Sequence, residues 1–559
     1  MILPDDELKK ILLNAHAIPQ QDLKSAEEYA KNSNSSLEDA LIERNIVSDE
    51  VMGVLLADYF KYPFVVLSKI VIPENVFRIV PEKVARKYKV IAFAKDQDGL
   101  KVAMSDPNLT EVIDNISKKT NKQIYRYFAT ERDIYNTLQV YRKDAQIALS
   151  GLINSDLDER SNKLLKETPV AKIVDVIIEY AYHDKASDIH IEPEENRTLI
   201  RFRLDGMLQD ILVLPKHYHT EIINRIKVLS RLRTDEHYAP QDGKMRIKYD
   251  EEDLDIRVSI VPIVEGEKAV LRLLASHFRK FSLLDLGMNQ EDLQKVTRAF
   301  NKSYGMILST GPTGSGKTTT IYAILKILNT REKNITTIED PVEYRIKGVN
   351  QIQVNTRTEL TFANGLRSIL RQDPNIVFVG EIRDTETAEI AVNAALTGHL
   401  VLSTLHTNDA ATALPRFIDM EIEPFLVAST VNVIVAQRLV RKICESCRIE
   451  QTISVNNLSK NLPVQIIQKY FGNAEQILTY KGKGCKMCHN TGYVGRVGIF
   501  EVLEVSKNIR DLTTKKSDSD IITKAAIEEG MTTMLDDGIN KVKNGMTTIE
   551  EVLRVTKVT

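Results

Sequence analysis

The chain has 559 residues, 43% apolar and 27% charged, with 75 Lys and Arg against 77 Asp and Glu for a formal charge of -2. That length predicts several folded units at about 150 residues each, the apolar content excludes a disordered chain, and the balanced charge gives no reason to expect a nucleic-acid partner. No apolar run approaches the roughly 18 residues a membrane span needs, and the opening residues are too charged for a signal peptide, so a cytoplasmic protein is expected.

In chain order, residues 1–145 read as a helical module continued by mixed strand and helix. Two look-alike segments, 18–23 and 46–51, each place an apolar residue before a polar cap and a helical pattern. Ser48 is an N-cap candidate, with Val51 and Leu55 as the stripe expected to be buried. The polar, aperiodic run before Pro169 marks a linker over 146–168. From 169 to 285 a helical stretch gives way to alternation. Ile200, Phe202 and Leu204 interleave with Arg201, Arg203 and Asp205, and Asp205-Gly206 signals a hairpin. An antiparallel α+β domain follows. From 286 to 559, short apolar strands at 306–309, 335–338, 376–379 and 400–403 alternate with helices, the pattern of a parallel α/β core, and residues 521–557 read as helical.

The strand at 306–309 runs into Gly311, Pro312, Thr313, Gly314, Ser315, Gly316, Lys317, Thr318 and Thr319. This fits GxxxxGK[ST] between a strand and a helix. Glycines let backbone N–H groups wrap around phosphate oxygens, and the helix N-terminus adds its dipole. Lys317 is expected on the β- and γ-phosphates and the Thr318 hydroxyl on Mg²⁺, so ATP and ADP are the expected ligands. Two later strands end in carboxylates, Glu339, Asp340 and Glu343 after one and Glu381 and Asp384 after the other. Ligands of parallel sheets sit outside the carboxyl ends of strands. His399 and His406 flank a third strand and are read as lying at the same edge. Spacing alone leaves open which carboxylate activates water and which faces the metal.

The four cysteines form two CxxC pairs, Cys444 with Cys447 and Cys485 with Cys488. In a large chain read as cytoplasmic, this spacing predicts a closed structural zinc site within 440–500.

Together with the phosphate loop, the segments SerAspIleHisIleGluPro (187–193), ArgPheArgLeuAspGly (201–206), ProGlnAspGlyLys (240–244), IleGluAspProValGluTyr (338–344) and ValGlyGluIleArgAsp (379–384) resemble those of the secretion ATPase superfamily. The likeness is to its type IV pilus assembly ATPases and type II secretion ATPases. It implies a RecA-like P-loop NTPase core preceded by a PAS-like α+β domain and an N-terminal module, with a tetracysteine zinc-binding insertion. It further implies that Glu343 activates water, that Glu381 is the acid near Mg²⁺, and that His399 and His406 form the family's His box. Arg201 and Arg203 would approach a nucleotide across a hexameric ring, with Arg257 and Arg272 as weaker candidates. The zinc element belongs to assembly and secretion ATPases and is missing from retraction ATPases. Where some relatives carry an ArgLeuGly-type segment that binds cyclic di-GMP, this chain has Leu12, Leu13, Asn14 and Ala15. The module is therefore expected to dock on an inner-membrane platform protein, at the cytoplasmic face.

Overall fold

The computed structural model of the chain describes residues 3–15, 18–33, 36–43, 46–70, 72–96, 99–138, 169–249, 252–274, 282–455, 464–472 and 474–556. The expected linker at 146–168 lies outside them. The chain forms two compact units, one from 1–72, 93–132 and 281–559, the other from 73–92 and 133–280.

The first unit opens with helices Asp5–Asn14, Gln20–Ser33, Leu37–Glu43 and Asp49–Phe60. Ser48 caps the last of these, its Oγ accepting from the Val51 N–H at 3.3 Å. The stripe is out of phase with expectation. Val51 is 51% exposed, and the buried face is Met52, Gly53, Leu56 and Ala57. Gly53 explains the phase, because a Cβ there would lie 2.4 Å from the Phe64 ring, so the helix turns its bare backbone inward to seat that ring. Strand β1 (Val90–Lys95) spans the boundary at residue 92, and β2 (Leu100–Met104) and β3 (Ile124–Phe128) follow, paired parallel.

The second unit carries helices Pro169–His183 and Tyr218–Leu229 and strands β4 (Asp188–Pro193), β5 (Arg197–Leu204), β6 (Met207–Pro215), β7 (Gln241–Tyr249), β8 (Glu252–Ile263) and β9 (Gly266–Leu274). They make one antiparallel sheet in the order β6-β5-β4-β9-β8-β7. Alternation does what the sequence predicts, burying Ile200 and Phe202 with Ile173, Ile177, Ile222 and Leu271. Asp205 and Gly206 turn the hairpin with φ of 50° and 86°, the left-handed pair a two-residue turn requires.

The remainder of the first unit is a seven-stranded sheet ordered β12-β11-β13-β14-β10-β15-β18. The four expected strands are β10 (Gly305–Thr310), β11 (Ile335–Glu339), β13 (Ile376–Val379) and β14 (Leu400–Leu405), all parallel. All six residues of β10 are buried, as a sheet covered on both faces demands. Sequence reading misses β12 (Asn350–Gln353), β15 (Val431–Ile443), the ribbon of β16 (Arg448–Ser454) with β17 (Gln476–Gly482), and β18 (Tyr493–Glu504), which pairs antiparallel to β15. The C-terminal stretch is helical as expected, at Ser519–Glu528, Met534–Lys543 and Ile549–Thr556. Among the described residues no helix is long and apolar enough to cross a membrane.

The last helix is tied to β15 through Glu551, whose buried carboxylate takes 2.6 and 3.1 Å bonds from the Arg441 side chain and backbone N–H and a 2.8 Å bond from Arg554. Burial alone would raise its pKa, but these donors outweigh burial and bring it down to about 2. A carboxyl depressed from about 4.5 stabilises the fold above that pH and loses the contribution as pH falls toward 2, a span worth about 3 kcal/mol. Arg441→Met is expected to destabilise the protein by about 1.5–3 kcal/mol at pH 7, because it removes the charge-assisted side-chain bond and leaves Glu551 to Arg554 and the backbone N–H of residue 441, and to flatten the acid limb of a denaturation-versus-pH curve. An unchanged acid limb would exclude the Arg441 pairing as its source.

Candidate functional site

The loop after β10 owes its shape to its glycines. Gly311, Gly314 and Gly316 have φ of 144°, 79° and 91°, and the helix Lys317–Leu328 starts directly behind them. A Cβ on Gly314 would meet nothing within 4 Å, so the loop is open on that side. Pro312 and Thr313 are exposed, and Thr318 and Thr319 are half-buried at the first turn of the helix. Lys317 is 9% exposed and folds back, Nζ donating to the Gly311 and Pro312 carbonyls at 2.7 and 3.1 Å. Burial lowers its pKa, opposed by the charge of Glu381. The Ser315 hydroxyl is buried with no hydrogen-bond partner among the described residues. A loop with open amides, an orphan hydroxyl and a lysine parked on its own carbonyls suits a polyphosphate that would engage all three.

The strand ends deliver two carboxylates to this edge. Glu381 follows β13, its Oε2 2.6 Å from Arg383 Nε and 3.3 Å from His406 Nε2, and its charge acts on Lys317. His406 follows β14, whose last residue Leu405 pairs with Thr310 at the entrance to the loop. Glu381 and Thr318 are the residues able to hold Mg²⁺, which would neutralise developing phosphate charge.

Glu343 sits on the loop after β11, held by residues that the sequence reading passed over. Tyr322, on the helix behind the phosphate loop, donates its hydroxyl to Glu339 Oε2, and its ring meets the Tyr344 ring edge to face with centroids 4.7 Å apart. Gln351, on β12, donates to the Tyr344 carbonyl at 3.1 Å and accepts from the Ile346 N–H at 2.7 Å. Glu339 is buried. Burial raises its pKa, and bonds from Thr337, Tyr322 and Gln351 oppose that rise. The Glu343 loop is thus clamped to the helix that Lys317 begins. A tyrosine inside a helix carries no local signal of such a role.

His399 is a correction. It precedes β14, its carbonyl accepts from the Gly305 N–H at 3.1 Å, and its Nδ1 lies 3.0 Å from the Ala394 carbonyl. That places it at the amino end of β10 and β14, about 20 Å along the strand from His406, so the two histidines do not share an edge of this sheet. Arg201 and Arg203 lie on the polar face of β5 as alternation predicts, in the second unit. Each is paired there, Arg201 with Asp210 and Glu192 at 3.1 and 3.5 Å and Arg203 with Asp188 at 3.3 Å. Arg272 shares Asp188 at 2.9 Å.

The cysteines converge. Cys444 to Cys485, Cys447 to Cys488 and Cys485 to Cys488 measure 3.8, 3.9 and 3.7 Å between sulfurs, and all four lie within 4.8 Å of one another. Tetrahedral zinc with Zn–S bonds of about 2.3 Å sets sulfurs about 3.8 Å apart, so the donor set fits that ion. Burial, then the three neighbouring sulfurs, push the Cys444 thiol up, a crowding that a bound cation relieves. Burial acts on Cys488 in the same sense, but the N–H groups of Cys485 and Gly492, at 3.1 and 3.2 Å, hold it down overall.

Comparison with known proteins agrees with these arrangements. The family model described as "Type II/IV secretion system protein" matches residues 163–554, and an MshEN domain matches 60–147. The chain is 35% identical to the "Type IV pilus assembly ATPase PilB" of Myxococcus xanthus over 563 residues, 98% of each chain. It is 46% identical to the "Type II secretion system protein E" of Pectobacterium carotovorum over 391 residues, 70% of this chain and 76% of that one. The solved ATPase DotB of Legionella pneumophila is 21% identical and superimposes with a TM-score of 0.51 over 70% of this chain and 97% of its own, a likeness of fold. With a phosphate loop, strand-end carboxylates and a four-sulfur cluster on a sheet of that fold, the chain belongs to the type II/IV secretion system protein family.

Proposed function

We propose that the chain is the ATP-hydrolysing motor of a type IV pilus assembly machine. The observation that carries hydrolysis is the convergence of the phosphate loop, Glu381 bridged to His406, and the Glu343 loop held from the Lys317 helix. The pilus reading is supported by likeness to a pilus assembly ATPase along 98% of both chains, whereas the type II secretion relative aligns over 70% of this one. A type II secretion motor is the second reading, favoured by the higher 46% identity in that aligned part.

In the proposed reaction a water oxygen attacks the γ-phosphorus, the bond to the β,γ-bridging oxygen breaks, and ADP leaves. Glu343 takes the water proton, and Lys317 exchanges its loop carbonyls for β- and γ-phosphate oxygens. Thr318 and Glu381 would hold Mg²⁺, which would supply charge neutralisation there. Arg201 and Arg203 exchange their carboxylates for the nucleotide of a neighbouring copy in a hexamer, so turnover couples to movement between subunits. Residues 1–145 dock on a membrane platform protein at the cytoplasmic face, 169–285 carry the arginines, and 286–559 hold the nucleotide and, at 440–500, zinc.

Phosphate release by the purified chain, followed across concentrations that span assembly, tests this. Turnover is expected to rise with oligomer formation and to fall at least 100-fold in Lys317→Ala. Full-rate hydrolysis by isolated protomers would overturn the ring. Wild type as inert as Lys317→Ala, even with a platform-containing membrane fraction, would leave a nucleotide-sensing scaffold.

A further inference from the structure

Gln437 lies on β15, the parallel neighbour of β10, in register just beyond the Thr310 and Ala436 pair. It is 2% exposed, inside a sheet otherwise lined by Val433, Ile434, Val435 and Val440. Both ends of its side-chain amide are engaged. Nε2 donates to the Ser315 carbonyl at 2.8 Å, and Oε1 accepts from the Thr320 hydroxyl at 2.7 Å and the Ser309 hydroxyl at 3.4 Å. The reversed amide would set an oxygen against the Ser315 carbonyl, so the network fixes the orientation. Its backbone also presses on the loop, the Gln437 carbonyl lying 2.5 Å from where a Cβ on Gly311 would be.

In a trans peptide the C=O and the following N–H point in opposite directions. Holding the Ser315 carbonyl against Gln437 of β15 therefore turns the Gly316 N–H the other way, away from that side chain. The same glutamine grips Thr320, one turn into the helix, so the peptide that ends the loop and the start of the helix are set by one side chain. We infer that Gln437 is a positioning residue for nucleotide binding, fixing the Ser315–Gly316 peptide so that its amide is aimed at the phosphates before nucleotide arrives. This rests on reading 311–319 as the phosphate-binding loop.

Gln437→Glu is close in shape and keeps the acceptor for Thr320 and Ser309, but it puts a carboxylate oxygen against the Ser315 carbonyl. Gln437→Met keeps the length and removes every polar contact. Binding of MgADP and of a fluorescent ATP analogue to the full chain is expected to weaken about tenfold or more in Gln437→Glu and several-fold in Gln437→Met. KM for ATP should rise in parallel while kcat at saturation changes less than about threefold. Thr320→Val leaves the Ser315 bond intact, and its affinity is expected to stay within about threefold of wild type. A purely structural glutamine predicts the reverse pattern, lower melting temperatures without nucleotide and unchanged affinities, and that result overturns the inference. Lys317→Ala in the same assays separates the two readings. If it binds nucleotide like wild type, the phosphate-loop reading falls. If it loses binding while both Gln437 variants keep wild-type affinity, the role of Gln437 alone falls.

Discussion

Glu343→Gln is expected to lower kcat for phosphate release by about 100- to 10,000-fold while MgATP affinity stays within about threefold of wild type. General-base catalysis contributes a factor of that size, and glutamine keeps the shape and polarity of the side chain while losing the basic site. Binding should survive because Glu343 lies on the loop after β11, apart from the loop that holds Lys317. The backbone around it should also survive, since the Tyr322 ring packs on Tyr344 and Gln351 holds the carbonyl of Tyr344 and the N–H of Ile346. Single-turnover quench experiments separate chemistry from product release. A variant retaining more than about a third of wild-type turnover would remove Glu343 from the base role and point to another strand-end carboxylate, with Glu381 the next to substitute.

Cys485→Ser is expected to take the chain from one zinc to none and to unfold the segment between β15 and β18. Structural zinc contributes about 10–16 kcal/mol of folding free energy in small zinc domains at neutral pH, and a serine hydroxyl does not replace a thiolate ligand. Three features tie the consequence to this region. The ribbon of β16 and β17 has a two-stranded sheet of its own, a size that is marginal in water without further support. The Gly492 N–H bonds to the Cys488 sulfur while the Gly492 carbonyl accepts from the Cys444 N–H at 2.9 Å, so the two knuckles are stitched through backbone as well as sulfur. β15 and β18, by contrast, are anchored in the large sheet and should keep their structure. Metal analysis together with limited proteolysis checks this, with new cuts expected between β16 and β17. A native, protease-resistant protein without zinc would exclude a structural metal.

The elements best read from sequence are those whose signal is local. The glycines of 311–316 adopt the left-handed backbone that their spacing announces, Asp205-Gly206 turns as written, and the four buried strands of the parallel core stand where short apolar runs put them. Helical period was also correct at Asp49–Phe60, but its phase was not, because what Gly53 must accommodate is a phenyl ring eleven residues away. β15 carries no such local signal although it is 13 residues long, since an apolar run flowing into Gln437, Arg438 and Arg441 has no alternation and no turn to bound it.

Sequence by itself determined the local motifs: a glycine loop of the GxxxxGK[ST] pattern between a strand and a helix, carboxylates at the ends of strands, and four cysteines in two CxxC pairs. Tertiary structure alone decided which side chains meet. It separated His399 from His406 by the length of a strand, joined His406 to Glu381 across 25 positions, and placed Gln437 under a loop 122 residues before it. Backbone conformation and ligand type are properties of a few adjacent residues, whereas facing partners depend on strand order and register, which hydrophobic periodicity leaves free.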